Sequence, residues 1–291
     1  METVESGAQE LDAPVEVGGH IWLNGQLTPT EHAHVSVLDH GLIVGDGTFE
    51  SIPVVRSQPF AITRHLRRLR RTCEALDIPL GSTDEELKSA MSLVLAVNAG
   101  RADHIRLTVT AGQSTMGSAR VLSEPTVLIG STSRIARGAT ANVVIAPWCR
   151  NDRGRTTGLK TISYIENVLA IKHANDNAAS EVLLANTKGE LCEGGGSNVF
   201  VVIKGELVTP PLSAGCLPGV TRELILESTG ATERAIPMEQ LASATEGFLT
   251  ASTRGVQPLG RIDNQRLDAP GPMTVSAQQA FWALEQRSLD P

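Results

Sequence analysis

The amino-acid sequence predicts an α+β protein with two domains, each of which mixes strands and helices. At 291 residues the chain exceeds the usual size of a single domain. Both halves contain segments in which apolar residues alternate, as in strands, and segments in which they recur every three or four residues, as in helices. These segments do not follow the regular strand–helix–strand order of a doubly wound fold, and α+β is therefore the predicted class.

The predicted domain boundaries follow from local composition. Residues 1–18 are acidic and aperiodic, which is typical of a flexible N-terminal tail. The segment STSRIARG is polar and aperiodic as well, and it predicts an interdomain linker at residues 131–138. We therefore expect a small N-terminal domain at residues 19–130 and a large C-terminal domain at residues 139–291.

The overall composition narrows the class of partner. Hydrophobic residues make up 41% of the chain and charged residues 20%, as in ordinary soluble proteins. The net charge of -7 argues against nucleic acid or an anionic membrane as the main partner. The first residues lack the basic and apolar parts of a signal peptide, and no apolar run approaches the ~20 residues of a membrane span. We therefore expect a cytoplasmic protein.

The first domain is predicted from four strand-like and two helix-like segments. HIWLNGQL predicts a hairpin that turns at Asn24 and Gly25, and TFESIPVV, HIRLTVTA and PTVLIGS predict strands. ITRHLRRLRRTCEAL has apolar residues at steps of four and three, which predicts an amphipathic helix with Thr63 as a candidate N-cap. A second helix is predicted to begin after Ser82 or Thr83. Its predicted inward-facing side chains are Leu87, Ala90, Met91, Val94 and Val97.

The second domain is predicted from strands, hairpins and four helices. ANVVIAP, GFLTAS and GVQPLGRI predict strands, and EVLLANTKGELCE and SNVFVVIKGELVTPP predict hairpins. Helices are predicted at residues 165–176, directly after Gly219, at residues 238–244 and at residues 273–287. The partly buried face of the first of these helices is predicted to carry Val168, Leu169, Ile171 and Lys172.

Lys160 is the candidate catalytic residue. It lies in GLKTISY among small and apolar neighbours. Desolvation by such neighbours favours the neutral amine, which is the form that attacks a carbonyl carbon. Because a lone lysine is more often an ordinary surface residue, this assignment depends on the other motifs in the chain.

Other candidate residues lie in turns that suit a flat, phosphorylated ligand. Glu193 is followed by three glycines, which let a ring lie close to the backbone, and its carboxylate suits a protonated pyridine nitrogen. A hairpin with a bulge explains triple glycine equally well. Val220 and Thr221 follow Gly219 at a helix start, where backbone N–H groups bind phosphate.

Two alternative sites are less well supported by the residues. His32, His34 and His40 lie close together, but their stretch is predicted to be a strand and turn without an adjacent carboxylate pair, so no metal site is expected. GLIVGDG lacks the GxGxxG pattern of a dinucleotide site, and no βαβ unit surrounds it. A non-enzymatic interaction module remains the alternative that predicts no cofactor.

Six motifs in one order resemble the class IV aminotransferases, which are pyridoxal-phosphate enzymes of fold type IV. The motifs are GDGTFE, HLRRL, GLKTISYIENVLA, CEGGGSNVF, LPGVTR and TASTRGVQPL. The resemblance implies a Schiff base on Lys160 and a partner for the pyridine nitrogen in Glu193. It implies cofactor-phosphate contacts from Arg68, Val220, Thr221, Ser252 and Thr253.

The resemblance also implies the assembly and the reaction. Members of this family are homodimers of two-domain subunits, with pyridoxal 5'-phosphate in the interdomain cleft and bound largely by the C-terminal domain. The neighbouring subunit completes the substrate pocket. An amino group moves from a donor to a 2-oxo acid, and Lys160 moves the α-proton.

The substrate is less clearly indicated. D-amino-acid aminotransferases and aminodeoxychorismate lyases usually carry a TRG strand end and a nearby arginine, but Ala111 and Met116 stand at the corresponding places here. Arg106 resembles the arginine of the YIRPL strand in branched-chain aminotransferases. The lysine segment resembles the D-amino-acid enzymes and the lyases more than the KxGGNY pattern of branched-chain enzymes.

We therefore predict a D-amino-acid or (R)-amine transaminase. Arg106 or Arg254 is the expected partner of the substrate carboxylate, and Phe49 is an expected substrate contact. An aminodeoxychorismate lyase and a branched-chain L-amino-acid aminotransferase are the alternatives.

Overall fold

The computed structural model describes residues 19–100, 102–121, 123–133 and 137–291. The predicted N-terminal tail and residues 134–136 of the predicted linker lie outside these ranges. Among the described residues, no helix has the length and apolarity needed to cross a bilayer.

The described chain divides into two compact units. The N-terminal unit contains residues 19–133 together with two later segments, Leu159–Tyr164 and Leu284–Pro291. The C-terminal unit contains residues 137–158 and Ile165–Ala283. The units therefore differ from the contiguous domains predicted from sequence, since the candidate catalytic lysine belongs to the N-terminal unit.

The N-terminal unit is built on an antiparallel sheet. Its described elements are β1 (His20–Leu23), β2 (Gln26–Pro29), α1 (His40–Val44), β3 (Gly47–Val55), β4 (Gln58–Pro59), α2 (Ile62–Ala75), α3 (Asp84–Val97), β5 (His104–Thr110) and β6 (Thr126–Thr132). The six described strands have the order β2-β1-β6-β5-β3-β4. The helices α2 and α3 pack against this sheet, and the core between them includes Leu66, Leu69, Leu87, Met91 and Ile105.

Local signals placed α3 correctly. Thr83 accepts a hydrogen bond from the Glu86 N–H, and the Glu86 side chain accepts one from the Thr83 N–H, which forms a capping box. Leu87, Ala90, Met91 and Val94 are buried as predicted. Val97 is 46% exposed, so its predicted inward orientation is wrong.

The start of α2 differs from the sequence prediction. The residue before the helix is Ala61, with a φ of 53°, and Thr63 does not cap the helix. Instead, the Asp290 carboxylate accepts hydrogen bonds from the Thr63 N–H (3.0 Å) and from the Thr63 hydroxyl (2.5 Å). The end of the chain thus supplies a partner for the helix start, which local sequence could not reveal.

The segment with three histidines also differs from the prediction of a strand and turn. Residues Thr30–His32 form a 3₁₀ turn, and His40 begins α1, which Asp39 caps by accepting from the Gly41 N–H. The two ring nitrogens of His40 lie 2.7 Å from Asp46 Oδ2 and 2.8 Å from the Gly117 carbonyl oxygen. Within the described residues, no group of three or more His, Cys, Asp and Glu side chains is arranged to hold a metal ion.

The C-terminal unit is built on a larger mixed sheet. Its described elements are β7 (Ala141–Arg150), α4 (Ile165–Asp176), β8 (Glu181–Asn186), β9 (Leu191–Gly194), β10 (Asn198–Ile203), β11 (Glu206–Thr209), α5 (Val220–Ser228), β12 (Thr232–Glu233), β13 (Ala244–Ala251), β14 (Gly255–Ile262), β15 (Gln265–Arg266) and α6 (Pro272–Arg287). The last residues of α6 belong to the N-terminal unit. The predicted helix at 238–244 is a 3₁₀ helix, Met238–Ser243.

Strand order in this sheet places β9 at one edge and β13 and β14 near the middle. The described order is β12-β11-β10-β13-β14-β7-β8-β9, and β15 pairs with β14. The pairs β14–β7 and β7–β8 are parallel, and α4 connects β7 to β8.

The helix α4 buries a different face from the predicted one. Its buried residues are Asn167, Ala170 and Ala174, whereas Val168 and Leu169 are more than half exposed. Small side chains let α4 lie close to the sheet, and apolarity alone did not identify that face.

Candidate active site

The backbone around Lys160 is fixed against strand β3. The Lys160 carbonyl oxygen accepts hydrogen bonds from the Phe49 N–H (3.1 Å) and from the Thr48 hydroxyl (2.8 Å). The half-buried side chain of Lys160 places Nζ 4.1 Å from the Phe49 ring centroid and 5.8 Å from that of Tyr164. The amine therefore lies against two aromatic rings, and these rings limit its hydration.

Arg106 contacts the same aromatic ring as Lys160. It lies on β5, and its Cζ is 3.4 Å from the Phe49 ring centroid. Phe49 is 3% exposed and packs edge-on against Tyr164, with ring centroids 5.1 Å apart. The predicted residues Phe49, Arg106 and Lys160 are thus brought together, with Tyr164 as a further member.

The guanidinium of Arg106 has no carboxylate partner within the part of the chain that the structure describes. Its Nε donates to Thr108 Oγ1 at 3.3 Å. Desolvation lowers the pKa of Arg106 to about 10, so the side chain remains protonated at neutral pH. Arg106 is therefore a cation that can bind an anion.

Arg68 is held by a buried carboxylate that sequence reasoning did not single out. Arg68 Nε and Nη2 donate to Glu50 Oε1 (2.8 Å) and Oε2 (2.6 Å), and His65 Nδ1 lies 2.7 Å from Glu50 Oε2. Burial lowers the pKa of His65, and a neutral imidazole can donate its Nδ1–H to Glu50. Glu50 lies in the GDGTFE motif and His65 in the HLRRL motif. Membership in these motifs is the sequence signal that could have identified the two residues.

Glu193 is a buried acid of the C-terminal unit. It lies on β9 and is 8% exposed. Its Oε2 accepts a hydrogen bond from the Leu217 N–H at 2.9 Å, and its Oε1 lies 3.2 Å from Arg150 Nη2. Both neighbours are donors, so the ionised carboxylate fits this environment. Arg150 ends β7, and no motif in the sequence pointed to it.

The three glycines after Glu193 have different roles. A Cβ on Gly194 would lie 2.5 Å from Ser197 Oγ, and one on Gly195 would lie 2.8 Å from Glu181 Oε1. A Cβ on Gly196 would approach only Glu181 Oε2, at 4.0 Å. Packing therefore requires the first two glycines, while Gly196 borders open space.

The start of α5 has the properties of an anion site. The N-cap Gly219 supplies no side-chain acceptor, and a Cβ there would collide with Asn198 Oδ1. Val220 and Thr221 are each 4% exposed. Among the described residues, nothing accepts from their backbone N–H groups, and the positive end of the helix dipole adds to the attraction for an anion.

Ser252 and Thr253 lie in the turn between β13 and β14, and both are half-buried. The Arg254 N–H donates to the Ala251 carbonyl at 3.0 Å and closes the turn. The Arg254 side chain is 4% exposed, and its guanidinium donates to Glu181 Oε2 (2.8 Å) and Gln257 Oε1 (2.7 Å). Glu181 therefore already pairs with the Arg254 guanidinium.

Comparison with known proteins identifies the family. The model of amino-transferase class IV matches residues 47–262, which is more than half of the chain. A putative branched-chain-amino-acid aminotransferase of Methanocaldococcus jannaschii is 32% identical over 278 residues, covering 90% of this chain and 94% of that relative. The chain belongs to the class IV aminotransferases.

Two further members of the family are similar over nearly the whole chain. A D-alanine aminotransferase of Bacillus licheniformis is 28% identical over 276 residues, covering 90% of this aminotransferase and 95% of the relative. The crystal structure of the branched-chain amino acid aminotransferase of Escherichia coli is 26% identical, with a TM-score of 0.84. The match covers 92% of this chain and 94% of that chain. The α+β fold of type IV is thereby confirmed.

The protein is a pyridoxal-phosphate-dependent aminotransferase. Taken by itself, the N-terminal unit contains a primary amine beside aromatic rings, which suits a cofactor aldehyde. Taken by itself, the C-terminal unit contains a buried carboxylate, an uncapped helix start and the hydroxyls of Ser252 and Thr253, which suit a pyridine nitrogen and a phosphate. Thr250 Oγ1 is a further buried hydroxyl, without a hydrogen-bond partner in the described part of the chain.

Proposed function

We propose that this aminotransferase moves an amino group between an α-amino acid and a 2-oxo acid, with Lys160 as the catalytic residue. One observation carries the proposal. The Lys160 amine and the Arg106 guanidinium contact the same Phe49 ring, at 4.1 and 3.4 Å from its centroid. An amine for proton transfer therefore lies near a cation for the substrate carboxylate.

Each candidate residue has a chemical role in this proposal. When bound, pyridoxal phosphate supplies an electron-withdrawing ring that stabilises negative charge at the substrate Cα. Lys160 Nζ carries the cofactor at rest and then removes and returns the α-proton. Glu193, which lies 3.2 Å from Arg150 Nη2, would accept a hydrogen bond from a protonated ring nitrogen.

The phosphate contacts are proposed for three sets of donors. The backbone N–H groups of Val220 and Thr221 are available at the start of α5, and Ser252 and Thr253 add two hydroxyls. Arg68 contributes positive charge, with its orientation fixed by Glu50. Because Val220, Thr221 and Arg68 are buried before the ligand arrives, little further ordering of these donors accompanies binding.

The surroundings of Lys160 favour an amino acid over a simple amine as the donor. Arg106 is cationic and has no carboxylate partner among the described residues. A donor that brings a carboxylate satisfies this charge, whereas an (R)-amine does not. Phe49 and Tyr164 form an apolar wall beside the amine, which suits an aliphatic side chain.

We propose branched-chain L-amino acids as the first donor class to test. The sequence-based preference for D-amino acids rests on the lysine segment alone. The M. jannaschii relative is named a putative branched-chain enzyme, and Arg106 lies on a strand that resembles the YIRPL strand of such enzymes. D-amino acids are the second class, since the D-alanine aminotransferase of B. licheniformis is 28% identical.

A homodimer is proposed as the working assembly. The N-terminal unit exposes several large apolar side chains, including Val37 (76%), Leu42 (68%) and Met116 (79%). In the C-terminal unit, Ile165 and Val168 on α4 are exposed as well. Burial of such side chains against a second copy is favourable, at about 25 cal/mol per Å² of apolar surface.

A donor and acceptor screen tests the proposal. The purified protein is loaded with pyridoxal phosphate and supplied with L-leucine, L-isoleucine, L-valine, D-alanine or an (R)-amine, each with 2-oxoglutarate or pyruvate. We expect activity with the three L-amino acids and a visible absorbance band of the lysine-bound cofactor. Lys160→Ala is the control and should lose both the band and the activity.

Other results of the screen would replace the proposal. Activity confined to D-alanine would restore the sequence-based preference for D-amino acids. Release of 4-aminobenzoate from aminodeoxychorismate without any oxo-acid acceptor would identify a lyase. Activity with the (R)-amine at the rate of the amino acids would refute the role given to Arg106.

A further inference from the structure

Glu181 is a buried carboxylate that the proposed chemistry does not use. It is the first residue of β8 and is 0% exposed. Among the described residues it accepts four hydrogen bonds. The donors are the N–H groups of Val182 (3.1 Å) and Gly195 (2.9 Å), the Ser197 hydroxyl (3.2 Å) and Arg254 Nη2 (2.8 Å).

These contacts join two turns that are distant in sequence. Gly195 and Ser197 belong to the turn that follows Glu193, and Arg254 follows Ser252 and Thr253 directly. One carboxylate therefore connects the turn next to the proposed partner of the ring nitrogen with the turn that carries two proposed phosphate ligands. All of these residues lie in the C-terminal unit.

The contact between Glu181 and Arg254 is buried. Their side chains are 0% and 4% exposed. Burial lowers the pKa of Arg254 to about 10, while the charge of Glu181 opposes that shift. Arg254 also donates to Gln257 Oε1, and Gln257 donates to the Gly138 carbonyl oxygen at 2.9 Å. The guanidinium is therefore fixed from two sides.

We propose that Glu181 and Arg254 are positioning residues for the cofactor, which set the Ser252–Thr253 turn relative to Glu193. This inference rests on the proposed phosphate contacts of Ser252 and Thr253. Neither positioning residue touches the reacting atoms. They hold the Ser252–Thr253 turn and Glu193 at one fixed separation. The two ends of a rigid cofactor require such a fixed separation.

Glu246 provides a matched control in the same unit. It is also a buried carboxylate, at 5% exposure, and it accepts from the N–H groups of Met273 (3.1 Å) and Thr274 (2.9 Å) and from the Thr274 hydroxyl (2.9 Å). These contacts hold the start of α6 and involve none of the proposed cofactor ligands. Glu246→Gln should therefore reduce stability without changing cofactor affinity.

The experiment compares the affinities of the apo-proteins for pyridoxal phosphate and for pyridoxal, which lacks the phosphate. We expect Glu181→Gln to raise the Kd for pyridoxal phosphate at least tenfold and the Kd for pyridoxal less than threefold. The double variant Glu181→Gln with Arg254→Met leaves no buried unpaired charge, so it should regain thermal stability but not phosphate-dependent affinity. Glu246→Gln should keep both wild-type Kd values.

The outcomes separate this inference from the proposed function. A Glu181→Gln variant with the wild-type Kd for pyridoxal phosphate would overturn the positioning role, and so would equal losses for the two ligands. Recovery of affinity in the double variant would overturn it as well. If the double variant Ser252→Ala, Thr253→Ala loses affinity and Glu181→Gln does not, the proposed phosphate contacts stand and only the positioning role is rejected. Wild-type affinity in that variant would reject those contacts and the inference together.

Discussion

Replacement of Glu50 by glutamine tests the buried network that holds Arg68. Glu50 is 0% exposed, and its carboxylate accepts from Arg68 Nε (2.8 Å) and Nη2 (2.6 Å). Glu50→Gln keeps the size of the side chain but removes its charge. Arg68 would then remain buried without its counter-ion, and this arrangement is costly in a protein interior.

The size of the effect follows from the pKa of Glu50. Burial alone would raise it, but the charge and hydrogen bonds of Arg68, with a hydrogen bond from His65, lower the pKa from 4.5 to about 2. A pKa difference of about 2.5 corresponds to roughly 3–4 kcal/mol of folding free energy at pH 7, at ~1.4 kcal/mol per unit. Breaking a buried ion pair typically costs about 3–5 kcal/mol, in agreement with this value.

The same pKa gives the sign of the pH dependence. The folded-state pKa is depressed, so the contribution of Glu50 is fully present above the unfolded-state value of 4.5 and is lost as the pH falls toward 2. One unit below the unfolded-state value, at a pH of about 3.5, roughly 1.4 kcal/mol of the contribution should already be lost. The difference between wild type and Glu50→Gln should shrink accordingly.

Urea unfolding of the apo-proteins, followed by far-UV circular dichroism at both pH values, measures these differences. Asp176→Asn is the control, because Asp176 forms a 2.6 Å pair with Lys172 on the surface of α4, and such a pair is worth about 0.3–0.5 kcal/mol. A loss below ~1 kcal/mol for Glu50→Gln at pH 7 would refute the reasoning. An equal loss at the two pH values would refute it too.

Two further predictions concern the glycine turn and the substrate cation. Gly195→Ala should destabilise the protein by about 1–3 kcal/mol in thermal unfolding, because its Cβ would lie 2.8 Å from Glu181 Oε1. Gly196→Ala should change stability by less than ~0.5 kcal/mol, and similar losses in the two variants would contradict the packing argument. Arg106→Met should raise KM for the amino acid donor ~10-fold or more, since a hydrogen bond to a charged group is worth about 1.5–3 kcal/mol, without weakening the cofactor band. An unchanged KM would exclude Arg106 from carboxylate binding.

Local sequence signals correctly predicted the elements whose ends are set by neighbouring residues in the chain. The hairpin at Asn24 and Gly25 has positive φ values of 46° and 94°, as its sequence predicts. The capping box of Thr83 and Glu86 sets the start of α3, and a glycine precedes α5. In each case a few adjacent residues supply the whole interaction.

Two features that depend on partners far along the chain were mispredicted. Thr63 was predicted to cap α2. Instead, its N–H donates to the carboxylate of Asp290, more than 200 positions away. On α4 the apolar residues Val168 and Leu169 face outward, and Ala170 and Ala174 pack inward. Periodicity cannot distinguish these faces, because the close approach of α4 to the sheet decides which side chains are accommodated.

The sequence by itself determined the family and the chemistry, because the motifs around Lys160 and Glu193 occur in a fixed order along the chain. The tertiary structure decided which arginine pairs with a buried carboxylate. In the sequence, Arg106 and Arg254 are equivalent candidates for the substrate carboxylate. In the structure, Arg254 is buried against Glu181, whereas Arg106 stacks on Phe49 without a carboxylate partner among the described residues. The physical reason is that the pairing of a guanidinium with a carboxylate depends on contacts between residues that are distant in sequence.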